Sequence, residues 1–250
     1  MRNFSRPINI KVDEENPYWI SFSDLMSALL IIFILTAVAL IIELTEIQKK
    51  VKEDISQLRH AEQARKDILI EIKNELAKKK IHVVIAENET ILRIPEETLS
   101  FESNSYEIPP NENLRKSIVV IGLALHKAIN KAFDNTKSHI KRFEYLDTIF
   151  IEGHTDSRPS SRIKGNWGLS SYRAISLWDF WSEKLAISPP LSEMKNAFKQ
   201  NLFSVSGYAA SRRLSLSETT SEERAKNRRI DIRFTIKKPS ISQLEDIAEQ

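Results

Sequence analysis

Between Leu25 and Ile42 the chain runs for 18 residues without a charged side chain, and this stretch limits what the rest of the molecule can be. With its flanks, Trp19 to Leu44, the segment reaches 26 residues. At ~1.5 Å per helical residue that is enough to cross a hydrocarbon core of ~30 Å with some tilt. A secretory signal peptide would have an apolar region of only about 7–15 residues ending in a small-residue cleavage site. Here the apolar run leads instead into Ile42-Glu43-Leu44-Thr45-Glu46, so a membrane helix over 19–44 is expected. Arg2, Arg6 and Lys11 precede the span while Lys49, Lys50, Lys52 and Arg59 follow it, so the excess of cations on the cytoplasmic side does not decide its orientation.

The remaining residues suit one globular domain plus extended parts. Basic and acidic residues nearly balance, 37 against 34, which argues against a nucleic-acid partner. Cysteine is absent, which excludes disulfides and thiolate metal sites. Residues 1–18 read as a polar tail broken by Pro7 and Pro17. After the span, Ile47, Val51, Ile55, Leu58, Ala61, Ala64, Ile68, Ile72 and Leu76 recur at helical spacing, predicting a long juxtamembrane helix over 45–80. Two readings of its narrow apolar stripe fit: a coiled coil between two copies, or a helix lying on its own domain.

From Ile81 the period shortens, and residues 81–238 read as an α+β domain with helices against a mixed sheet. Its expected elements are a hairpin (Ile81–Ile85 and Thr90–Ile94), a polar loop (Ser100–Asn113), a helix over Leu114–Phe133 and a strand over Thr148–Glu152. A helix over Ser170–Lys184, a shorter one over Ser192–Gln200, a strand around Phe203–Ser206, a polar loop and a last strand over Ile230–Ile236 follow. Residues 239–250 read as a tail.

Asp24 lies about five residues inside Trp19, where a charged carboxylate facing lipid costs roughly 2.5–3.5 kcal/mol. It shares a helical face with Ser21, Ser27 and Ala28, small or polar residues that let another helix approach closely. Against a partner protein such an acid can load and release a proton on either side of a seal. The alternative is that Asp24 reaches the headgroups or caps the helix N-terminus.

The segment Pro17-Tyr18-Trp19-Ile20-Ser21-Phe22-Ser23-Asp24-Leu25-Met26, followed by the apolar run, resembles the ion-carrying helix of MotB-type stator subunits, and among them the ZorB subunits of Zorya anti-phage defence. Residues 81–236 resemble OmpA/Pal/MotB peptidoglycan-binding domains through four ordered blocks. These are Gly153-His154-Thr155-Asp156; Asn166-Trp167-Gly168-Leu169-Ser170 with Arg173-Ala174; Gly207-Tyr208-Ala209; and Asn227-Arg228-Arg229-Ile230-Asp231-Ile232.

The resemblance implies that Asp156 and Arg173 hold the zwitterionic head group of the diaminopimelate stem peptide. An aspartate suits an ammonium, and a planar guanidinium suits a carboxylate. It further implies that Thr155, Asn166, Leu169, Asn227 and Arg228 line or support that pocket. Taken singly, Asp156 could cap a turn, Arg173 could pair with Glu152 or Asp179, and Trp167, Trp178 and Trp181 could be core. The loop Ser157–Gly165 is longer and more basic than the family pattern, and Leu185–Asn201 looks inserted.

Carried through, the resemblance implies a homodimer inside a ring of ZorA- or MotA-like membrane subunits, driven by protons through Asp24. The protein would sit singly spanning the bacterial inner membrane, with its N-terminus cytoplasmic and its C-terminal domain periplasmic on the wall. A flagellar MotB-like stator and a passive OmpA/Pal-like tether are the alternatives. His154 stands beside Asp156, yet no nucleophile or metal-ligand set accompanies it, so neither catalysis nor a cofactor is expected.

Overall fold

The computed structural model describes residues 17–133 and 139–237, so the expected tail 239–250 and all but the last two residues of the tail 1–18 lie outside the described residues. The chain divides into two units, residues 1–53 and 54–250, and helix α1 (Pro17–Lys78) contributes to both.

In the first unit the apolar side chains of Leu25–Ile42 are exposed apart from half-buried Ala37, a continuous apolar surface that water does not tolerate but hydrocarbon does. This helix is long and apolar enough to cross a membrane. Three of its hydroxyls are satisfied inside the helix: Ser27 donates to the Ser23 carbonyl (2.7 Å), Thr36 to that of Phe33 (2.9 Å) and Thr45 to that of Ile41 (2.7 Å). Internal pairing of this kind is what a lipid environment demands of polar groups. No acidic residue stands in the first turn, and Asp24 lies about two turns past Pro17, too deep to cap the helix N-terminus.

In the second unit the apolar stripe of α1 is buried. Ala61, Ile68, Leu69, Ile72 and Leu76 are at most 2% exposed and join the same core as helix α2 (Glu112–Asn130) and the sheet. Between Ala61 and Leu76 the stripe therefore lies on its own domain rather than on a second copy, whereas Val51 and Ile55 are exposed. The helix ends in a Schellman turn: Lys80 takes a left-handed conformation, its N–H donates to Ala77 and the Ile81 N–H donates back to Leu76. Arg142 and Lys131 clamp Glu71 of α1 at 2.7 and 3.1 Å, fixing the packing of α1 beside the end of α2.

Strands β1 (Val84–Ala86) and β2 (Ile91–Pro95) form the expected hairpin, closed by Glu87, Asn88 and Glu89 at positive φ. With β3 (Leu146–His154), β4 (Phe203–Gly207) and β5 (Arg229–Ile236) they make a mixed sheet of order β1-β2-β5-β3-β4, parallel only between β3 and β4. Alternation along β5 sends Ile230, Ile232 and Phe234 to the core, paired with Gly153, Ile151 and Ile149 of β3. The other face carries Arg229, Asp231 and Arg233 beside His154, Glu152 and Phe150.

Three expectations change. Helix α3 covers Gly165–Lys184 and so starts five residues before Ser170: Gly165 takes a positive φ, and Gly168 is a spacer, since a Cβ there would lie 2.0 Å from the Ile163 carbonyl oxygen. The helix expected over Ser192–Gln200 is instead a 3-10 turn (Leu191–Glu193) followed by a loop wound on buried Asn196. Its side-chain oxygen accepts from the N–H groups of Phe198 (2.9 Å) and Gln200 (3.0 Å), a local alternative to helical hydrogen bonding. The polar loop before the last strand contains a short helix α4 (Ser221–Asn227), started by a capping box between Thr220 and Glu223.

Candidate functional site

The motif blocks meet where β3, β4 and the N-terminal turns of α3 come together. Gly153 and Gly207 allow this approach, because a Cβ on either would fall 2.0 Å from the Ser170 carbonyl oxygen or 2.5 Å from the Ser171 amide nitrogen. The Tyr208 N–H then donates to Gly153 (2.9 Å), the Thr155 N–H to Ala209 (2.9 Å), and the Ala209 N–H to the Ser170 hydroxyl (3.0 Å). These bonds hold the strand ends at fixed height beneath an open cavity of about 410 Å³.

Thr155, Asp156, Asn166, Leu169, Arg173 and Arg228 all line this cavity. Asn227 does not line it. Fully buried, Asn227 accepts from the Leu214 and Ser215 N–H groups (2.6 and 3.0 Å) and donates to Glu218, which in turn accepts from the Ser157 N–H and hydroxyl next to Asp156. Its role is to set the loop on which the cavity rests.

Asp156 is held by two guanidiniums. Arg158 reaches its Oδ2 through Nη2 (2.7 Å) and Nε (3.1 Å), Arg228 Nη1 reaches the same oxygen at 2.7 Å, and the Arg158 N–H bonds Oδ1 at 3.1 Å. Burial pushes the Asp156 carboxyl up, but these hydrogen bonds outweigh it and hold it below the usual carboxylate range. Arg228 is itself paired with Glu96.

Arg173 bonds neither Glu152 nor Asp179. Its Nε donates to the Ser105 carbonyl (2.8 Å) and its Nη2 to Glu102 (3.1 Å), with the guanidinium 5.1 Å from the Phe101 ring centroid. Burial lowers its pKa to about 10, leaving it cationic at neutral pH. Asn166 donates to the carbonyls of Asp156 (3.2 Å) and Arg158 (2.9 Å), while the buried Thr155 hydroxyl has no partner among the described residues. Of the tryptophans, Trp181 is buried and bonds the Ile118 carbonyl (2.9 Å), Trp178 packs partly buried on the core, and Trp167 is exposed.

Glu96, Phe101, Asn104, Arg158 and Arg224 also line the cavity and were not singled out from sequence. Arg158 was legible only as part of an unusually basic loop. That loop is tied to Asn104, whose Oδ1 accepts from Ser160 Oγ (2.6 Å) and whose carbonyl accepts from Arg162 Nε (2.7 Å).

Behind the cavity, Glu152, His154 and Asp231 bring one ligand-type atom each within 4.8 Å of one another. Their carboxylates are already engaged: Arg233 grips Glu152 at 2.8 and 3.1 Å, and Arg93 and Arg229 grip Asp231 at 2.9 and 3.0 Å. The chemistry is that of an ion-pair lattice, with cations in place where a metal centre needs free donors. His154 stacks on Tyr208 at 5.4 Å; neither ring nitrogen is hydrogen bonded among the described residues, Nε2 lying 3.5 Å from Asp231 Oδ2, and burial with the Arg229 charge pushes its pKa down to about 3.

A pH dependence follows. Folded His154 stays neutral down to about pH 3, while the unfolded chain protonates its histidine near pH ~6.5, so stability is lost as pH falls through that window. Urea titrations of the full chain in detergent at pH 7 and pH 5 should differ by about 2 kcal/mol, and His154→Phe, which keeps the stack on Tyr208, should remove most of that difference.

The OmpA family matches residues 100–228, which include every cavity residue except Glu96. Among solved structures, a protein described as MotB-like from Desulfovibrio vulgaris superposes with a TM-score of 0.50 at 20% identity, over 72% of this chain and 98% of that one. The periplasmic domain of Helicobacter pylori MotB gives 0.48 at 20% identity, over 67% and 90%. The cell wall anchor of the Pseudomonas aeruginosa T6SS gives 0.45 at 19% identity, over 69% and 99%. At these identities the likeness is one of fold. No curated protein sequence matches the chain.

Proposed function

The chain belongs to the OmpA family, and from that premise we propose that it is the wall-anchored subunit of a proton-driven motor in the bacterial inner membrane, of the ZorB kind that serves anti-phage defence. The observation that carries this reading is the pairing, in one chain, of an acid about two turns inside an exposed apolar helix with a family domain whose motif residues converge on one cavity.

In this reading residues 1–18 are a cytoplasmic tail, 19–44 span the membrane, 45–80 lead away from it, and 81–238 lie in the periplasm on peptidoglycan, followed by the tail 239–250. Two copies pair inside a ring of ZorA- or MotA-like subunits, and wall attachment keeps them from turning. Protons that load and leave Asp24 then bias the ring from one position to the next, because a fixed stator converts each change of charge into relative movement. The domain takes the amino-acid head group of the diaminopimelate stem peptide, with Arg173 on a carboxylate and Thr155, Asn166 and Leu169 shaping the pocket. Glu152, His154 and Asp231 brace the sheet beneath and perform no chemistry.

Attachment is tested by pelleting the full-length protein, in detergent, with purified sacculi. Arg173→Ala should weaken retention at least about tenfold, the effect of removing a charge-assisted partner from a desolvated contact. Arg173→Lys should recover part of it by retaining the charge without the planar fork. Wild-type protein that stays in the supernatant sinks the wall-anchored reading.

A further inference from the structure

A second cavity, of about 470 Å³, opens on the sheet face that carries Glu152, His154 and Asp231. Four guanidiniums, of Arg212, Arg213, Arg229 and Arg233, line it against two carboxylates, of Glu87 and Glu152, an excess of two positive charges. Behind them the charges of Arg93 and Asp231 cancel in a direct pair, and buried His154 is neutral at pH 7.

The four arginines are not equivalent. Arg233 is spent on Glu152 (2.8 and 3.1 Å) and Glu87 (2.9 Å), and Arg229 on Asp231 (3.0 Å) and the carbonyls of Asn227 (3.3 Å) and Arg212 (3.0 Å). The side chains of Arg212 and Arg213 donate no hydrogen bond among the described residues. Arg212 Nη1 lies 3.8 Å from Glu152 Oε2, beyond hydrogen-bonding reach. Glu218, whose carboxylate feels the Arg213 charge, is already bonded to Ser157 and Asn227.

An aromatic ring, not an acid, places Arg212. Its guanidinium carbon lies 3.8 Å from the Tyr208 ring centroid, and Tyr208 in turn stacks on buried His154. A stacked guanidinium spends its face and keeps its N–H edge, which is the edge that takes a carboxylate in bidentate fashion. The Arg212 side chain is 46% exposed, so a polymer can reach that edge, and Arg213 adds a second unspent fork beside it in the chain.

The position of this cavity indicates its occupant. His154 at the end of β3 pairs with Arg229 at the start of β5. One residue beyond that pair, Thr155 and Arg228 line the first cavity, whereas Glu152 and Arg229 line the second, so both cavities reach the same end of the sheet. A wall polymer held in the first cavity therefore passes the second, and its stem peptides carry the carboxylates that an unspent pair of guanidiniums suits.

We propose that Arg212 and Arg213 form a second contact with the cell wall, taking carboxylates of a stem peptide other than the one held in the first cavity. The proposal rests on the wall-binding reading and extends it, because two contacts on one polymer reinforce each other once the first is made. Arg229, Arg233 and the carboxylates they hold are the floor of this contact.

The test is sacculus pelleting of the full chain in detergent. Arg212→Gln together with Arg213→Gln should weaken retention at least about fivefold and leave the urea midpoint near that of wild type, since neither side chain is hydrogen bonded. A charge-matched control, Lys116→Gln with Lys184→Gln, removes two exposed cations elsewhere and should cost less than about twofold. In an Arg173→Ala background the arginine pair should cost a further factor of similar size, because the two cavities share no lining residue. On sacculi whose carboxyl groups have been amidated, substituting the pair should cost nothing more. Retention of the pair variant within about twofold of wild type, an equal loss in the lysine control, or a pair effect that persists on amidated sacculi overturns the proposal. If wild type pellets, Arg173→Ala weakens retention and the pair variant matches wild type, only this second contact falls. If wild type stays in the supernatant, both readings fall.

Discussion

Asp24→Asn is expected to abolish phage protection by the native operon while leaving sacculus binding and membrane expression unchanged. The amide matches the carboxyl in size and hydrogen-bonding reach but cannot take up or release a proton, so it removes only the titratable function. The helix context supports the proposed role of the residue. Asp24 lies about two turns beyond Pro17, past any capping position, and the surrounding side chains from Tyr18 to Ile42 are exposed apart from half-buried Ala37 and largely apolar. Against lipid the charge would be disfavoured by roughly 2.5–3.5 kcal/mol. In the proposed motor a partner helix would meet the Ser21, Ser27 and Ala28 face and make it a proton site.

Plaquing and swimming assays on the same strains separate the readings. Lost protection with normal swimming supports a defence motor, and lost swimming with no protection phenotype points to a flagellar stator. Protection that survives Asp24→Asn leaves a passive tether. Asp24→Glu should retain part of the activity, because the titratable group is kept and displaced by one methylene.

The sequence made the long apolar helix, the hairpin and the four motif blocks legible because each rests on local pattern: an uncharged run, β-rich runs on either side of Ala86–Glu89, or residues whose order alone is diagnostic. It misplaced the start of α3 because glycine in a helix is ordinarily unfavourable, and the reason for Gly168 is a carbonyl, that of Ile163, arriving from the preceding loop. A helix was expected over Ser192–Gln200, but the Asn196 side chain captures two backbone N–H groups and winds a loop there instead. Helix α4 was missed although Thr220-Ser221-Glu222-Glu223 carries the capping-box signature openly. The apolar stripe of α1 left two readings open, and only the partners of Ile68, Ile72 and Leu76 in α2 and the sheet decided between them. Most of the cavity's motif residues were named in advance. The pairing of Arg158 and Arg228 on Asp156 was not, since it depends on contacts between residues as far apart as 72 positions.

Asp231→Ala should be the most destabilising of the single substitutions considered, by about 3–5 kcal/mol, because it strands buried cations instead of removing a surface pair. Asp231 is fully buried and accepts from Arg93 through both Nε and Nη2 (2.9 and 3.0 Å) and from Arg229 (3.0 Å). Burial pushes its carboxyl up, and the Arg93 hydrogen bonds and the Arg229 charge more than reverse this, so the group is ionised at neutral pH. Without it two nearly buried guanidiniums face each other across the β2–β5 pairing, where Arg93 and Asp231 are register partners. Arg229 is the next residue on this face of β5 and Arg228 immediately precedes the strand, so loosening this register also loosens the cation that links Glu96 to Asp156.

Urea titration of the full chain in detergent should therefore show a large fall in unfolding free energy, with sacculus retention lost only in proportion to the unfolded fraction. Arg173→Ala should show the opposite pattern, with retention lost at a smaller stability cost. A loss below about 1 kcal/mol for Asp231→Ala would mean that water reaches Arg93 and Arg229 and that the lattice under the sheet is not what holds the cavity floor. The contrast between the two variants separates the residues that build the cavity from those that meet its ligand.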